Sequence, residues 1–289
     1  MADVAALTDD SAGTFTLGGD IEVRRLGYGA MRITGDGVWG PPEDPEGAKR
    51  LLRRAVELGI NLIDTANSYG PDVSEQLIAE ALHPYSEVTI ATKGGLERGG
   101  PGDWSVNGRP DALKEACEGS LRRLRVDQID LYQLHAPDGD VPYEESVGAL
   151  KELQDEGKIN HVGVSNVSLD QLETARGIVE VVTVQNRFNL GDRGTEDVLA
   201  RCDELGIGFM PYFPLAAGSL ADPGGTAAEI AERHEATTGQ VALAWLLRRS
   251  RVMLPIPGTS SVDHLAENVG AARVELSAEE VEELSNACE

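Results

Sequence analysis

The feature that most constrains this chain is a repeated unit: an amphipathic stretch, a glycine, then a short apolar run. "LLRRAVELGINLID" (51–64), "LKELQDEGKINHVGVSN" (150–166) and "VLARCDELGIGFMPY" (198–212) all follow it. The glycine suits a helix C-terminus, and the apolar residues after it suit a strand buried on both faces. Helices alternating with such strands predict a parallel sheet with right-handed crossovers.

Eight runs of this strand type occur: 25–31, 60–64, 87–93, 129–135, 159–166, 181–185, 207–212 and 252–258. Helical patterns lie between them, such as 111–126, where Asp111 is expected to cap the first turn behind Pro110. The expected fold class is therefore α/β, an eight-stranded (β/α)8 TIM barrel. A doubly wound open sheet is the alternative. "TFTLGGDIEV" (14–23) predicts an N-terminal β-hairpin that closes the barrel bottom. No linker divides the chain, so residues 14–289 are expected to form one domain behind a flexible, acidic arm over 1–13. That arm lacks the basic start and apolar stretch of a secretory signal.

Charge narrows the choice of partners. Asp and Glu number 49 against 25 Lys and Arg, a formal net charge of −24. Such a surface repels phosphates, which excludes nucleic acid as a partner. No apolar run approaches the roughly 18 residues of a membrane span. Cys117, Cys202 and Cys288 are widely spaced, which points to reduced thiols in a cytoplasmic protein and to neither a metal site nor a disulfide framework. Self-repulsion on this scale destabilises a compact state unless it is screened, so the composition is read as that of a halophile.

In a barrel the chemistry gathers where strands end at their C-terminal side. Those ends read Met31, Asp64, Lys93, His135, Ser165–Asn166, Gln185, Tyr212 and Gly258, with Tyr69 five residues beyond Asp64. Each alone could be an ordinary loop or packing residue. Together, a carboxylate, an ammonium, a phenol and an imidazole converging on one rim define a candidate catalytic set: Asp64, Lys93, Tyr69 and His135. A phenol is a poor acid at neutral pH, its ordinary pKa being about 10. A lysine beside it stabilises phenolate, and a carboxylate keeps that lysine charged and in place. The imidazole can orient a substrate oxygen. The set contains no hydride source, so a cofactor must bring it. Ser165, Asn166 and Gln185 suit a carboxamide, and Tyr212 offers a ring for stacking.

The motifs "INLIDTANSYG", "TIATKGG", "LYQLH", "GVSN", "VQNRFN", "PYFPLA" and "IPGTSSVDHLAENV" resemble those of the aldo-keto reductases over residues 14 to 285 or so. The resemblance implies Tyr69 as proton donor, Lys93 and Asp64 as its tuning pair, and His135 as substrate orienter. It implies that Ser165, Asn166 and Gln185 hold the nicotinamide amide while Tyr212 stacks on the ring. Ala30, Met31, Pro214 and Leu215 are further expected cofactor contacts, as are Gly258, Thr259 and Ser260. "LGYGAM", "GVWGPPED", "PYFPLA" and "IPGTSSV" are similar to the pyridoxine 4-dehydrogenase (pyridoxal reductase) branch, which makes pyridoxal the expected substrate. The segment 214–225 is expected to fold over the cofactor pyrophosphate.

Many members grip the NADP 2′-phosphate with a lysine after "IP" and an arginine six positions later. Gly258 and His264 stand in those places here. Thr259, Ser260 and Ser261 still offer hydroxyls before a helix N-terminus that favours an anion. NADP(H) is the expected cofactor and NAD(H) the alternative, with Glu267 and Asn268 falling at the adenine. Two loops, 32–46 with Trp39 and 94–110 with Trp104, are expected to shape the substrate pocket. The chain ends soon after its last helical pattern, which suggests an open substrate site. A nicotinamide-binding regulatory subunit of the same fold is the competing function. A barrel hydrolase would need paired rim carboxylates, and Asp64 stands alone.

Overall fold

The computed structural model describes residues 6–215 and 225–287. A four-residue helix α1 (Asp9–Ala12) precedes a hairpin of β1 (Thr14–Leu17) and β2 (Ile21–Arg24). There follow β3 (Tyr28–Gly29), α2 (Pro45–Glu57), β4 (Leu62–Asp64), α3 (Val73–Leu82) and β5 (Thr89–Gly94). A second hairpin, β6 (Leu96–Gly100) and β7 (Asp103–Val106), leads into α4 (Pro110–Leu124), β8 (Ile129–Leu134), α5 (Tyr143–Asp155), β9 (Ile159–Ser165) and α6 (Leu169–Arg176). The order ends with β10 (Val181–Gln185), α7 (Glu196–Leu205), β11 (Gly208–Phe209), α8 (Thr226–Arg233), α9 (Thr238–Arg249), α10 (Val262–Gly270) and α11 (Ala278–Ala287).

The strands β3-β4-β5-β8-β9-β10-β11 pair in that order, all parallel, as the repeated helix–strand unit predicts. The eighth predicted strand closes the ring as an extended segment. Phe209 exchanges backbone bonds with Val252 and Leu254, while Pro255 and Pro257 accept from the amides of Gly27 and Gly29. Two prolines remove the donors a regular ladder needs, so this seam is held through carbonyls instead. The open-sheet alternative is thereby excluded.

Two apolar layers follow from strand alternation. Leu62, Ala91, Leu131, Val182, Met210, Leu254 and Ile256 fill the barrel together with Leu17 and Val23 of the first hairpin. Ile63, Ile90, Tyr132, Val162 and Val184 instead pack outward against the helices. The hairpin plugs the bottom as expected: Asp20 pairs with His161 at 2.6 Å, and a side chain at Gly18 would lie 1.9 Å from the His161 ring.

Three local expectations are corrected. Residues 6–13 are docked rather than flexible, for Leu7 is buried and its amide donates to Leu58 O. The segment 94–110 is mostly a hairpin, not an irregular loop. Asp111 lies inside the first turn of α4 behind an Arg109 N-cap whose side chain does not cap the helix, and its carboxylate accepts from the Ala112 amide and from Arg109 Nε. No helix of the described residues is long and apolar enough to cross a membrane.

Candidate active site

At the upper ends of β4 and β5, alternation turns Asp64 and Lys93 inward, above Leu62 and Ala91. Both are buried, Lys93 completely. Lys93 Nζ donates to Asp64 Oδ2 at 2.6 Å, to Thr65 O at 2.8 Å and to Tyr69 Oη at 3.5 Å. These use all three ammonium donors. The other carboxylate oxygen, Asp64 Oδ1, accepts from Gln185 Nε2 at 2.8 Å and Gln133 Nε2 at 3.2 Å. A buried ion pair persists when its remaining hydrogen-bonding capacity is also met, and here it is.

Tyr69 comes to the ammonium through a tight turn between β4 and α3. The amides of Asn67 and Tyr69 donate to Lys93 O and Ala66 O, and Tyr69 O accepts from Ser74 N. Burial raises the Tyr69 phenol above its ordinary range, with Lys93 pulling the other way. Burial also opposes the Lys93 charge, but Asp64 and Tyr69 outweigh it and hold the ammonium above its usual pKa. Tyr69 therefore carries its proton while Lys93 stays cationic at neutral pH. A proton leaving Tyr69 would leave phenolate beside a fixed cation, which makes this phenol a usable acid.

His135, just past β8, meets Tyr69 edge-on with ring centroids 5.9 Å apart. Burial, aided by Lys93, depresses its pKa well below the ordinary value, so the ring is neutral. Its Nδ1 is buried without a partner among the described residues. Beyond it, Asn166 takes a left-handed backbone (φ 59°), a conformation asparagine tolerates. Its Nδ2 donates to His135 O and Ser165 Oγ, and its Oδ1 accepts from Tyr212 Oη at 2.7 Å.

One cleft brings most of the expected residues together. Its lining includes Met31, Asp64, Tyr69, Trp104, His135, Ser165, Asn166, Gln185, Tyr212, Pro214, Leu215 and Gly258. Lys93 lies beneath it. Ala30 is buried behind the wall, its carbonyl accepting from Ser74. Trp39 does not line the cleft; it packs beside Arg98, 5.7 Å from the guanidinium. Thr259 is buried, with its carbonyl held by Tyr28 Oη. Ser260 and His264 are exposed at the start of α10, where Ser261 caps the His264 amide. Further along, Glu267 accepts from Thr237 and Asn268 is buried. None of Thr259, Ser260, His264, Glu267 and Asn268 lines the cleft. Most of the expected pyrophosphate cover, residues 216–224, lies outside the described residues, as does Cys288.

Sequence reasoning missed four contributors. Gln133 holds Asp64, and its signal was a lone amide within the apolar run "LYQLH". Leu96 and Phe213 also line the cleft, and Phe213 is 40% exposed. The fourth, Arg98, sits against the Trp104 ring.

A (β/α)8 barrel with an Asp–Lys–Tyr–His cluster at its C-terminal rim defines a class of oxidoreductase. The chain belongs to the aldo/keto reductase family, whose model matches residues 25–289. It is therefore an NAD(P)H-dependent oxidoreductase of small carbonyl and alcohol compounds. It is 50% identical over 275 residues to an uncharacterized oxidoreductase of Schizosaccharomyces pombe, covering 95% of this chain and 90% of that one. It is also 45% identical over 276 residues to the pyridoxine 4-dehydrogenase of Escherichia coli, covering 93% and 96%. Among solved structures, it is similar to a glycerol dehydrogenase from Gluconobacter oxydans, with TM-score 0.85 and 29% identity over 96% and 95% of the two chains. An aldo/keto reductase from Klebsiella pneumoniae, in complex with NADP and acetate, matches with TM-score 0.80 and 30% identity over 94% of each.

Proposed function

We propose that this chain is an NADPH-dependent reductase of flat aromatic aldehydes of the pyridoxal type. The observation that carries the reading is Lys93 Nζ held between Asp64 and Tyr69, with neutral His135 on the far side of the phenol. Bound NADPH supplies the hydride to the carbonyl carbon. His135 orients the carbonyl oxygen, Tyr69 gives it a proton as negative charge develops, and Lys93 stabilises the phenolate left behind. Ser165 and Asn166 offer polar groups to a carboxamide beside Gln185, and Tyr212, fixed by Asn166, offers its ring.

Pro214, Leu215 and Gly258 continue the cleft toward α10. There the exposed Ser260 and His264, with Thr259, sit at a capped helix N-terminus able to take a phosphate. We assign that position to the 2′-phosphate and Glu267 with Asn268 to the adenine. The aromatic walls Trp104 and Phe213 favour a flat substrate. The likeness to a pyridoxine 4-dehydrogenase supports pyridoxal, and the Klebsiella complex supports NADP. A regulatory role is disfavoured, because sensing a cofactor needs no buried proton donor. Buried Cys117 and Cys202, their thiols pushed up to about 12 by burial, suit a reducing cytoplasm, and the net charge of −24 suits a salt-accumulating cell.

The test is NADPH and NADH oxidation over a panel with pyridoxal, benzaldehyde and propanal. We expect NADPH to be preferred and the flat aldehydes to show the higher kcat/KM. Preference for NADH, or for propanal, would contradict the assignment; tight cofactor binding with no turnover would favour the regulatory reading.

A further inference from the structure

Arg98 of β6 is poorly explained as a surface residue. Each of its five N–H groups donates to a backbone carbonyl. Nε reaches Asp103 O at 3.1 Å, Nη1 reaches Val38 O at 2.6 Å and Ser68 O at 3.2 Å, and Nη2 reaches Gly37 O at 2.9 Å and Gly100 O at 3.2 Å. The face of the guanidinium lies 3.6 Å from the Trp104 ring. Only a planar fork with five donors can hold this set; a lysine offers three donors from one point.

The carbonyls belong to three separate segments. Gly100 and Asp103 are in the β6–β7 hairpin, Gly37 and Val38 in the loop after β3, and Ser68 in the turn that carries Tyr69. Val38 adds a second link, since its carbonyl also accepts from the Gly70 amide at 3.3 Å, and Gly70 O accepts from Gly40 N at 2.6 Å. The residues on either side of Tyr69 are thus tied to the junction that Arg98 fills. Val38 sits at φ 56°, unfavourable for a β-branched side chain, and this conformation aims its carbonyl at both donors. Strain of that kind persists only where the surroundings over-determine it.

We infer that Arg98 is a positioning residue: it locks the proton-donor turn and the Trp104 wall into one rigid unit, so that the substrate ring and the Tyr69 hydroxyl are set in register. The inference rests on the carbonyl-reductase reading for its kinetic consequence but not for its structural one. Misplacing a reacting group by an ångström can cost about a hundredfold in rate. The cofactor-side groups Ser165, Gln185 and Tyr212 share none of these bonds.

The experiment compares the full-length protein with Arg98→Met and Arg98→Lys. Amide hydrogen exchange is measured without ligands, and kcat, KM, the solvent isotope effect and NADPH affinity are measured with pyridoxal. In Arg98→Met, amides in 36–40 and 66–70 should exchange faster along with those of 96–106. There kcat should fall roughly tenfold or more with a larger solvent isotope effect, while NADPH Kd stays within about twofold. Arg98→Lys should restore only part of the rate, and it carries the same readouts alone if Arg98→Met does not fold. Faster exchange confined to 96–106, or full recovery with lysine, would overturn the inference. If the unaltered chain reduces no aldehyde, the functional reading fails, and exchange at 66–70 still decides whether Arg98 holds that turn.

Discussion

Lys93 has given up its hydration for a carboxylate, a carbonyl and a phenol, and the same burial sets the protonation of its neighbours Tyr69 and His135. His135 illustrates the consequence for stability. Its folded-state pKa is depressed, burial being the main cause. An unfolded histidine titrates near pH 6.5. The stabilisation is therefore complete above about pH 6.5 and is lost as pH falls toward the depressed folded value, because the unfolded state binds the extra proton first. We expect Tm to fall between pH 7 and pH 5, and the slope to flatten in His135→Asn; identical slopes would refute the account. At this scale the four side chains proposed for catalysis were legible as a rim cluster because each interrupts or follows an apolar run at a strand end. Arg98 was not, since its partners are backbone carbonyls, which every residue has.

At the scale of elements, interior layers fix where those strand ends stand. Gly163 of β9 sits in register between Gln133 of β8 and Thr183 of β10, its two neighbouring strands. A Cβ there would lie 2.2 Å from Thr183 Oγ1 and 2.8 Å from Gln133 Cγ. Gly163→Ala should cost about 1–3 kcal/mol by overpacking, read as a lower denaturant midpoint. It should also lower activity by disturbing Gln133 beneath Asp64. An unchanged midpoint would contradict the layered packing. The barrel strands were legible because burial on both faces leaves continuous apolar runs. The β6–β7 hairpin was not: β7 is exposed along its whole length and β6 is at most half-buried, so neither carries a periodic apolar face. The docking of residues 6–13 was missed for a related reason, as Leu7 and Ala12 are its only buried apolar anchors.

Over the whole molecule, 49 carboxylates face 25 cations. Many cations are paired at the surface, as Lys158 is with Glu118 and Glu156. Exposed pairs of this kind contribute only about 0–1 kcal/mol each. Salt screens those attractions and the far more numerous repulsions together, so the repulsions decide the sign. At about 1 M salt the Debye length shrinks to about 3 Å. We therefore expect Tm and NADPH affinity both to rise from dilute buffer to about that salt concentration. Flat or falling curves would remove the halophilic reading without touching the site.

The central claim is that Tyr69 is the proton donor set by Lys93 and Asp64. The most direct test is Tyr69→Phe, with NADPH affinity measured beside pyridoxal reduction. The account predicts near-native cofactor binding with kcat lowered at least about a hundredfold, since general acid catalysis is removed while the cofactor contacts remain. Reduction at the unaltered rate in that variant would contradict it.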